Sequence, residues 1–191
     1  MMTIAQGRSV SLREFDVSDV DTYCDWLLPH QEWHSWDGPY FRKDSAEEVE
    51  RYRRKLRQRL GSGEQFEHDG CLSRAVITPA GQPDRLVGTV SWHWESEETN
   101  WRRMGISIFD PALRGQGMGS DALELWTSYL FRRSDIVRLD FSTWSGNHGM
   151  LGVGRRLGFV EEARFRKARV VNGLHFDSVV FGVLREEWQS R

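Results

Sequence analysis

The stretch Leu113-Arg114-Gly115-Gln116-Gly117-Met118-Gly119-Ser120 decides the reading of this 191-residue chain. It falls between a predicted strand and a predicted helix. Glycines on alternate positions strip side chains from one face of the turn, so several backbone N–H groups can converge on an anion at the positive end of the following helix. A diphosphate is the natural occupant of such a cradle, and its identity decides the chemistry of everything downstream.

Working outward, Leu72 to Thr78, Leu86 to Trp94 and Trp101 to Phe109 read as three strands joined by short connections, an antiparallel meander that Asp110-Pro111 breaks just before the glycine loop. After the loop, Ser120 to Phe131 carries Ala122, Leu125, Trp126, Tyr129 and Leu130 on one helical face. Val137 to Thr143 is a strand, Asn147 to Leu157 a glycine-rich helix, and Phe165–Val171 with Phe176–Val183 a hairpin turned at Asn172-Gly173. Before the meander, Val10 to Phe15 is a strand and a short helix runs to Leu28, where Pro29 stops it. His30 to Arg42 is an aromatic loop, and Ser45-Ala46-Glu47-Glu48 is a capping box opening a helix that Gly61-Ser62-Gly63 ends. With no repeat, low-complexity tract or linker, residues 1–191 read as one mixed α/β (α+β) domain.

Spacing narrows the anion. A Walker loop needs a lysine that is absent here, and a dinucleotide fingerprint needs its third glycine one residue later, early in a βαβ unit. A glycine-rich turn without a ligand is the bland alternative, disfavoured by the entropic cost of three glycines. What remains is R-x-x-G-x-G. Arg114-Gly115-Gln116-Gly117-Met118-Gly119 resembles the signature of the GNAT superfamily of N-acetyltransferases. Asn147-His148-Gly149-Met150 through Arg156-Leu157-Gly158-Phe159 resembles the N-x-x-[S]-x-x-x-x-x-K-L-G-F block of its ribosomal-protein and polyamine acetyltransferase branch. The resemblance spans nearly the whole chain. It implies a mostly antiparallel, seven-stranded twisted sheet flanked by helices, with a splayed central strand pair that takes the pantetheine arm of coenzyme A.

The resemblance further implies acetyl-CoA as co-substrate, with no metal, and direct transfer to a primary amine, either a protein N-terminus or a small-molecule amine or polyamine. Coenzyme A binding is expected from Ile108, Phe109, Arg114, Gly115, Gln116, Gly117, Met118, Gly119, Ser120 and Asn147. A backbone N–H around Ile108 and Phe109 would meet the thioester carbonyl. Asn147 would contact the pantetheine arm or the amine through water, and it also reads as a helix N-cap. For the general base the candidates are His93 and Glu95 on the strand before the signature strand, and Asp37 in the aromatic loop. His93 alternates with Trp92 and Trp94, so it faces away from both. Trp33, Trp36, Asp37 and Tyr40 form the expected acceptor wall, since aromatic faces beside a carboxylate attract cationic amines. One departure stands out: where the branch has a small hydroxyl residue three positions after the asparagine, this chain has Met150, so no side-chain acid for the departing thiolate is evident. A non-catalytic acyl-CoA sensor or regulatory module is the alternative reading.

Composition excludes other classes. A net charge of −2 and a pI near 6.3 exert no global pull toward nucleic acid or anionic membrane. Met1 to Val10 is polar, no apolar run approaches the roughly 20 residues of a membrane span, and Cys24 and Cys71 form no metal or redox pattern. A cytoplasmic protein with an amine acceptor is expected; a homodimer is compatible with the sequence, and direct nucleic-acid contact is not expected. The nine tryptophans suit a partly buried aromatic core. The basic run Arg51 to Arg59 suits a solvated helix face balanced by Glu47, Glu48 and Glu50 more than an acidic partner.

Overall fold

A computed structural model describes residues 2–190, and in it one twisted sheet organises the chain. Strands β1 (Thr3–Gln6) and β2 (Val10–Arg13) lead into helix α1 (Asp19–Leu27) and, after the aromatic loop, α2 (Ala46–Gly61). A small hairpin, β3 (Glu67–His68) and β4 (Cys71–Leu72), precedes β5 (Arg74–Pro79), β6 (Gly88–Ser96) and β7 (Trp101–Ile108). Then come α3 (Met118–Arg133), β8 (Arg138–Trp144), α4 (His148–Arg156), β9 (Val160–Val171), β10 (Leu174–Leu184) and the short α5 (Arg185–Gln189). The main sheet runs β1-β2-β5-β6-β7-β8-β10-β9.

The sheet therefore has the expected character with one strand more than seven, because Thr3–Gln6 adds an edge strand on β2. The run Leu72 to Thr78 is also divided at Ser73. Cys71 and Leu72 pair with the β3 hairpin, while Arg74 onward pairs with β6.

Alternation along the strands sorts two cores onto the two faces. Val90 and Trp92 of β6, Met104 of β7, Leu139 and Phe141 of β8, and Val179 and Phe181 of β10 pack with α3, where Trp126 is wholly buried and its indole N–H donates to the Ser91 carbonyl at 3.1 Å. On the other face Phe15, Tyr23, Val49, Leu56, Val76 and Phe109 form the core under α1 and α2. The Ser45–Glu48 capping box forms as the sequence predicts, and Arg53 joins α2 to α1 by ion pairs to Asp21 and Asp25 at 2.8 and 2.7 Å. Those pairs account for the basic run as a solvated, helix-clamping face.

Every neighbouring pair in the main sheet is antiparallel except β7 and β8, and those two pair only at Arg102–Leu139 and Arg103–Asp140. Beyond that point they diverge. The vertex is pinned by Asp140, which is fully buried and accepts from Arg103 Nε at 2.7 Å and from the Trp101 indole at 2.7 Å. The expected splayed central pair is thus present, and it opens toward the glycine loop.

Candidate active site

At the mouth of the splay the glycine loop passes from β7 into α3. Gly115 and Gly117 adopt φ of +74° and +84°, the left-handed region that L side chains avoid, and a Cβ at Gly115 would meet nothing within 4 Å. The first loop-to-helix bond is Asp121 N–H to the Gly117 carbonyl at 3.0 Å; among the described residues the N–H groups of 115–120 have no protein acceptor. Six outward donors, an open face and the start of a 16-residue helix make a site that fits a diphosphate. A cation stands beside it: the position of a Gly117 Cβ lies 4.0 Å from Arg156 Nη1 on α4.

Two expected ligands need correction. The Arg114 side chain turns back from the loop, with Nε on the Ile108 carbonyl and Nη2 on the Phe109 carbonyl, both at 3.2 Å, and Nη1 paired with Glu32. Its charge is spent on fastening the loop to the end of β7, and its own N–H donates to the Pro111 carbonyl at 3.3 Å. Phe109 N–H is likewise spent, donating to the Val87 carbonyl at 2.9 Å, and its ring is buried under α1. The antiparallel register with β6 points the N–H groups of Arg103, Gly105 and Ser107 at β6, and those of Ile106 and Ile108 at the opened β8 side. Ile108 therefore presents a free N–H to the cleft, and Ile106, absent from the sequence reading, does the same.

The aromatic loop folds over the α1/α2 face of the splay. Trp33 is buried in the core, its indole donating to the Trp26 carbonyl at 2.6 Å and its ring 5.1 Å from Phe109, so it cannot wall an open acceptor pocket. Trp36 holds the loop down: its carbonyl accepts from the Trp144 indole and from Asn147 Nδ2, each at 3.0 Å, and its indole donates to Glu32 at 2.7 Å. Asn147 is also the N-cap of α4, its Oδ1 accepting from Met150 N–H at 3.0 Å. Both ends of its amide are thus engaged, in capping and in loop closure, with one N–H and one lone pair remaining. Met150 packs against the core edge and brings no acid.

One carboxylate does reach the cleft. Asp37 Oδ2 accepts from Ser107 Oγ at 2.9 Å, directly beside Ile106 and Ile108. The residue stays solvent-accessible at the cleft mouth, and the desolvation caused by protein packed around it pushes its carboxyl above the ordinary aspartate value, against the Ser107 hydroxyl and His34, which pull it down. Tyr40 lies next along the wall, its ring 4.5 Å from the Arg169 guanidinium. Glu95 and His93 lie elsewhere. Glu95 is paired with Arg103 at 2.8 Å, at the closed vertex, and His93 is solvent-exposed opposite Arg103. Neither is brought beside Ile108.

Ser107, Arg156 and Glu32 were missed by sequence reasoning. Strand alternation from Phe109 would have placed Ser107 on the acceptor face, and Arg156 occupies the basic position of the Asn147–Phe159 block. Glu32 carries no local signal, because its partner Arg114 is 82 residues away.

Residues 9–160 match the family described as acetyltransferase (GNAT) domain. A Bacillus subtilis protein named as a ribosomal N-acetyltransferase, YdaF, is 29% identical over 104 residues, a match covering 54% of this chain and 56% of that protein. This chain thus aligns with little more than half the length of that relative. Among solved structures, the ribosomal-protein-S5-alanine acetyltransferase of Vibrio fischeri superposes with a TM-score of 0.73 at 19% identity, over 96% of this chain and 97% of that one. The Vibrio cholerae spermidine N-acetyltransferase, in complex with CoA and spermine, superposes with a TM-score of 0.71 at 18% identity, over 94% and 98%. These two show the fold. With the family match covering most of its length, the chain belongs to the GNAT acetyltransferases, whose members use acetyl-CoA as donor.

Proposed function

We propose that the protein moves an acetyl group from acetyl-CoA directly to a primary amine, a protein N-terminus or a small-molecule amine. The observation that carries this is the opening of β7 from β8 beyond Arg103–Asp140, with the glycine cradle at its mouth and the Asp37–Ser107 pair on its flank. When bound, acetyl-CoA supplies the activated acetyl group as a thioester. The N–H groups of residues 115–120 and the Arg156 guanidinium hold the diphosphate, and the Ile106 and Ile108 N–H groups line the arm and polarise the carbonyl. Asp37 takes the proton that an ammonium must lose before attack, with Ser107 fixing its carboxylate. Alignment of the two reactants supplies most of the acceleration; as the C–S bond breaks, CoA leaves as a thiolate and the second proton of the amine passes through solvent to it, so no side-chain acid is required at Met150.

The test is thiol release from acetyl-CoA over a panel of amines and N-terminal peptides. Turnover that falls in Asp37→Asn while acetyl-CoA affinity holds supports the assignment. Acetyl-CoA binding without release across the panel overturns it in favour of the acyl-CoA sensor, the second reading that Met150 favours.

A further inference from the structure

Beyond the Asp37–Ser107 pair the α1/α2 face of the sheet continues uncovered. A groove of about 560 Å³ runs over β7, β8, β10 and β9, lined by Glu95, Arg103, Arg138, Glu162, Phe165 and Arg169. It touches the aromatic loop, because Arg169 both lines the groove and stacks on Tyr40 at 4.5 Å. No acceptor has yet been assigned to it.

The groove is selective in its chemistry. Its carboxylates are already satisfied: Glu95 is held by Arg103 at 2.8 Å, Glu162 by Arg138 at 2.5 Å, and the buried Asp140 beneath them by Arg103 at 2.7 Å. Its unsatisfied groups are donors. The Nε atoms of Arg138 and Arg169 are buried and bond to nothing, and among the described residues Arg169, unlike Arg103 and Arg138, has no carboxylate within ion-pair distance. A polyamine is a chain of N–H donors and has no oxygen to offer them. A peptide offers a carbonyl at every residue and a carboxylate wherever it carries Asp or Glu. From β8 to β9 the sheet crosses two inter-strand spacings, about 10 Å, to which the opened β7–β8 gap adds, so an extended chain needs at least about four residues to reach β9 from Ser107.

We infer that this groove binds the first residues of an acceptor peptide, with its amino group at Asp37, its backbone carbonyls over Arg138 and Arg169, and an acidic side chain near the third or fourth residue at Arg169. The inference rests on the transferase reading above and names its substrate class: an acidic protein N-terminus rather than a polyamine.

The experiment compares kcat/KM for the amidated peptides Ala-Ala-Glu-Glu, Ala-Ala-Gln-Gln and Ala-Ala-Arg-Arg with alanine amide and spermidine. The Glu peptide should exceed the Gln peptide about tenfold and the Arg peptide by more, with spermidine and alanine amide poorest. Added salt should shrink the Glu-over-Gln ratio. Arg169→Gln should bring that ratio close to one, and Arg169→Lys should retain part of it; being a ratio within one variant, it is insensitive to any general loss of activity. Turnover of spermidine as fast as the Glu peptide, or a ratio unmoved in Arg169→Gln, overturns the inference and leaves the transferase reading intact. Thiol release from no acceptor, with acetyl-CoA still bound, overturns both. A dimer in sedimentation that Phe165→Glu dissociates, together with a Glu-over-Gln ratio of one, assigns the groove to a second copy and likewise overturns it.

Discussion

Asp37, the proposed base, is a carboxyl whose protonated form the fold favours. Its folded-state pKa is raised, so the folded protein holds the proton more tightly than the unfolded chain does. Stability linked to this group is complete below the ordinary aspartate value near 3.8 and is lost as pH rises through the folded-state value. Because the side chain remains exposed, solvent screening keeps this contribution small, and Asp37→Asn should raise the melting temperature only slightly at neutral pH, with no gain in acid. The same substitution should lower kcat by about a hundredfold, the smaller end of what a positioned base contributes. In the wild type the acid limb of the kcat/KM profile should lie above the ordinary aspartate range, and Asp37→Asn should remove it. Ser107→Ala should shift that limb without abolishing activity, because the hydroxyl pulls the carboxyl down.

Among the elements, the glycine loop and the aromatic loop are tied together. Arg114 bonds to the end of β7 and to Glu32, Glu32 bonds to the Trp36 indole, and the Trp36 carbonyl bonds to Trp144 and Asn147. The donor cradle and the acceptor wall thus share one chain of hydrogen bonds. Glu32→Gln should raise KM for both substrates, whereas Gly117→Ala, strained at φ +84°, should raise the acetyl-CoA dissociation constant alone by about tenfold or more; calorimetry and initial rates separate the two. At the start of α2, Ser45→Ala removes the side-chain acceptor for Glu48 N–H at 3.2 Å and should cost about 1 kcal/mol in urea unfolding. The elements most legible in sequence were those with local causes: the Ser45 capping box, the Asn147 cap and the glycine turn all depend on residues within one helical turn of each other. The edge strand Thr3–Gln6 was not legible, because a short polar edge strand has little apolar alternation to show.

For the molecule as a whole, two buried charges hold layers together. Arg13 on β2 and Asp19 at the start of α1 are almost wholly inaccessible and joined by bonds of 2.6 and 2.7 Å, with Arg13 Nε also donating to the Pro83 carbonyl at 2.7 Å. Asp19→Ala leaves a buried guanidinium without its counter-charge and should destabilise the fold by about 3 kcal/mol, read as a lower urea midpoint at unchanged slope. Their pairing is not legible in the sequence, since a charged residue beside a turn reads as exposed until the packing above it is known.

The sequence by itself determined the donor half of this protein: the spacing of Gly115, Gly117 and Gly119 before a helix, and the Asn147–Phe159 block after it, are local patterns whose geometry follows from backbone conformation alone. Tertiary structure decided the acceptor half. Which N–H groups of β7 face the cleft depends on its register with β6; whether Trp33 is wall or core depends on α1; and Asp37 meets Ser107 only because a loop 70 residues away folds across the splay. Such partners are chosen by long-range packing, which leaves no periodic trace in the chain.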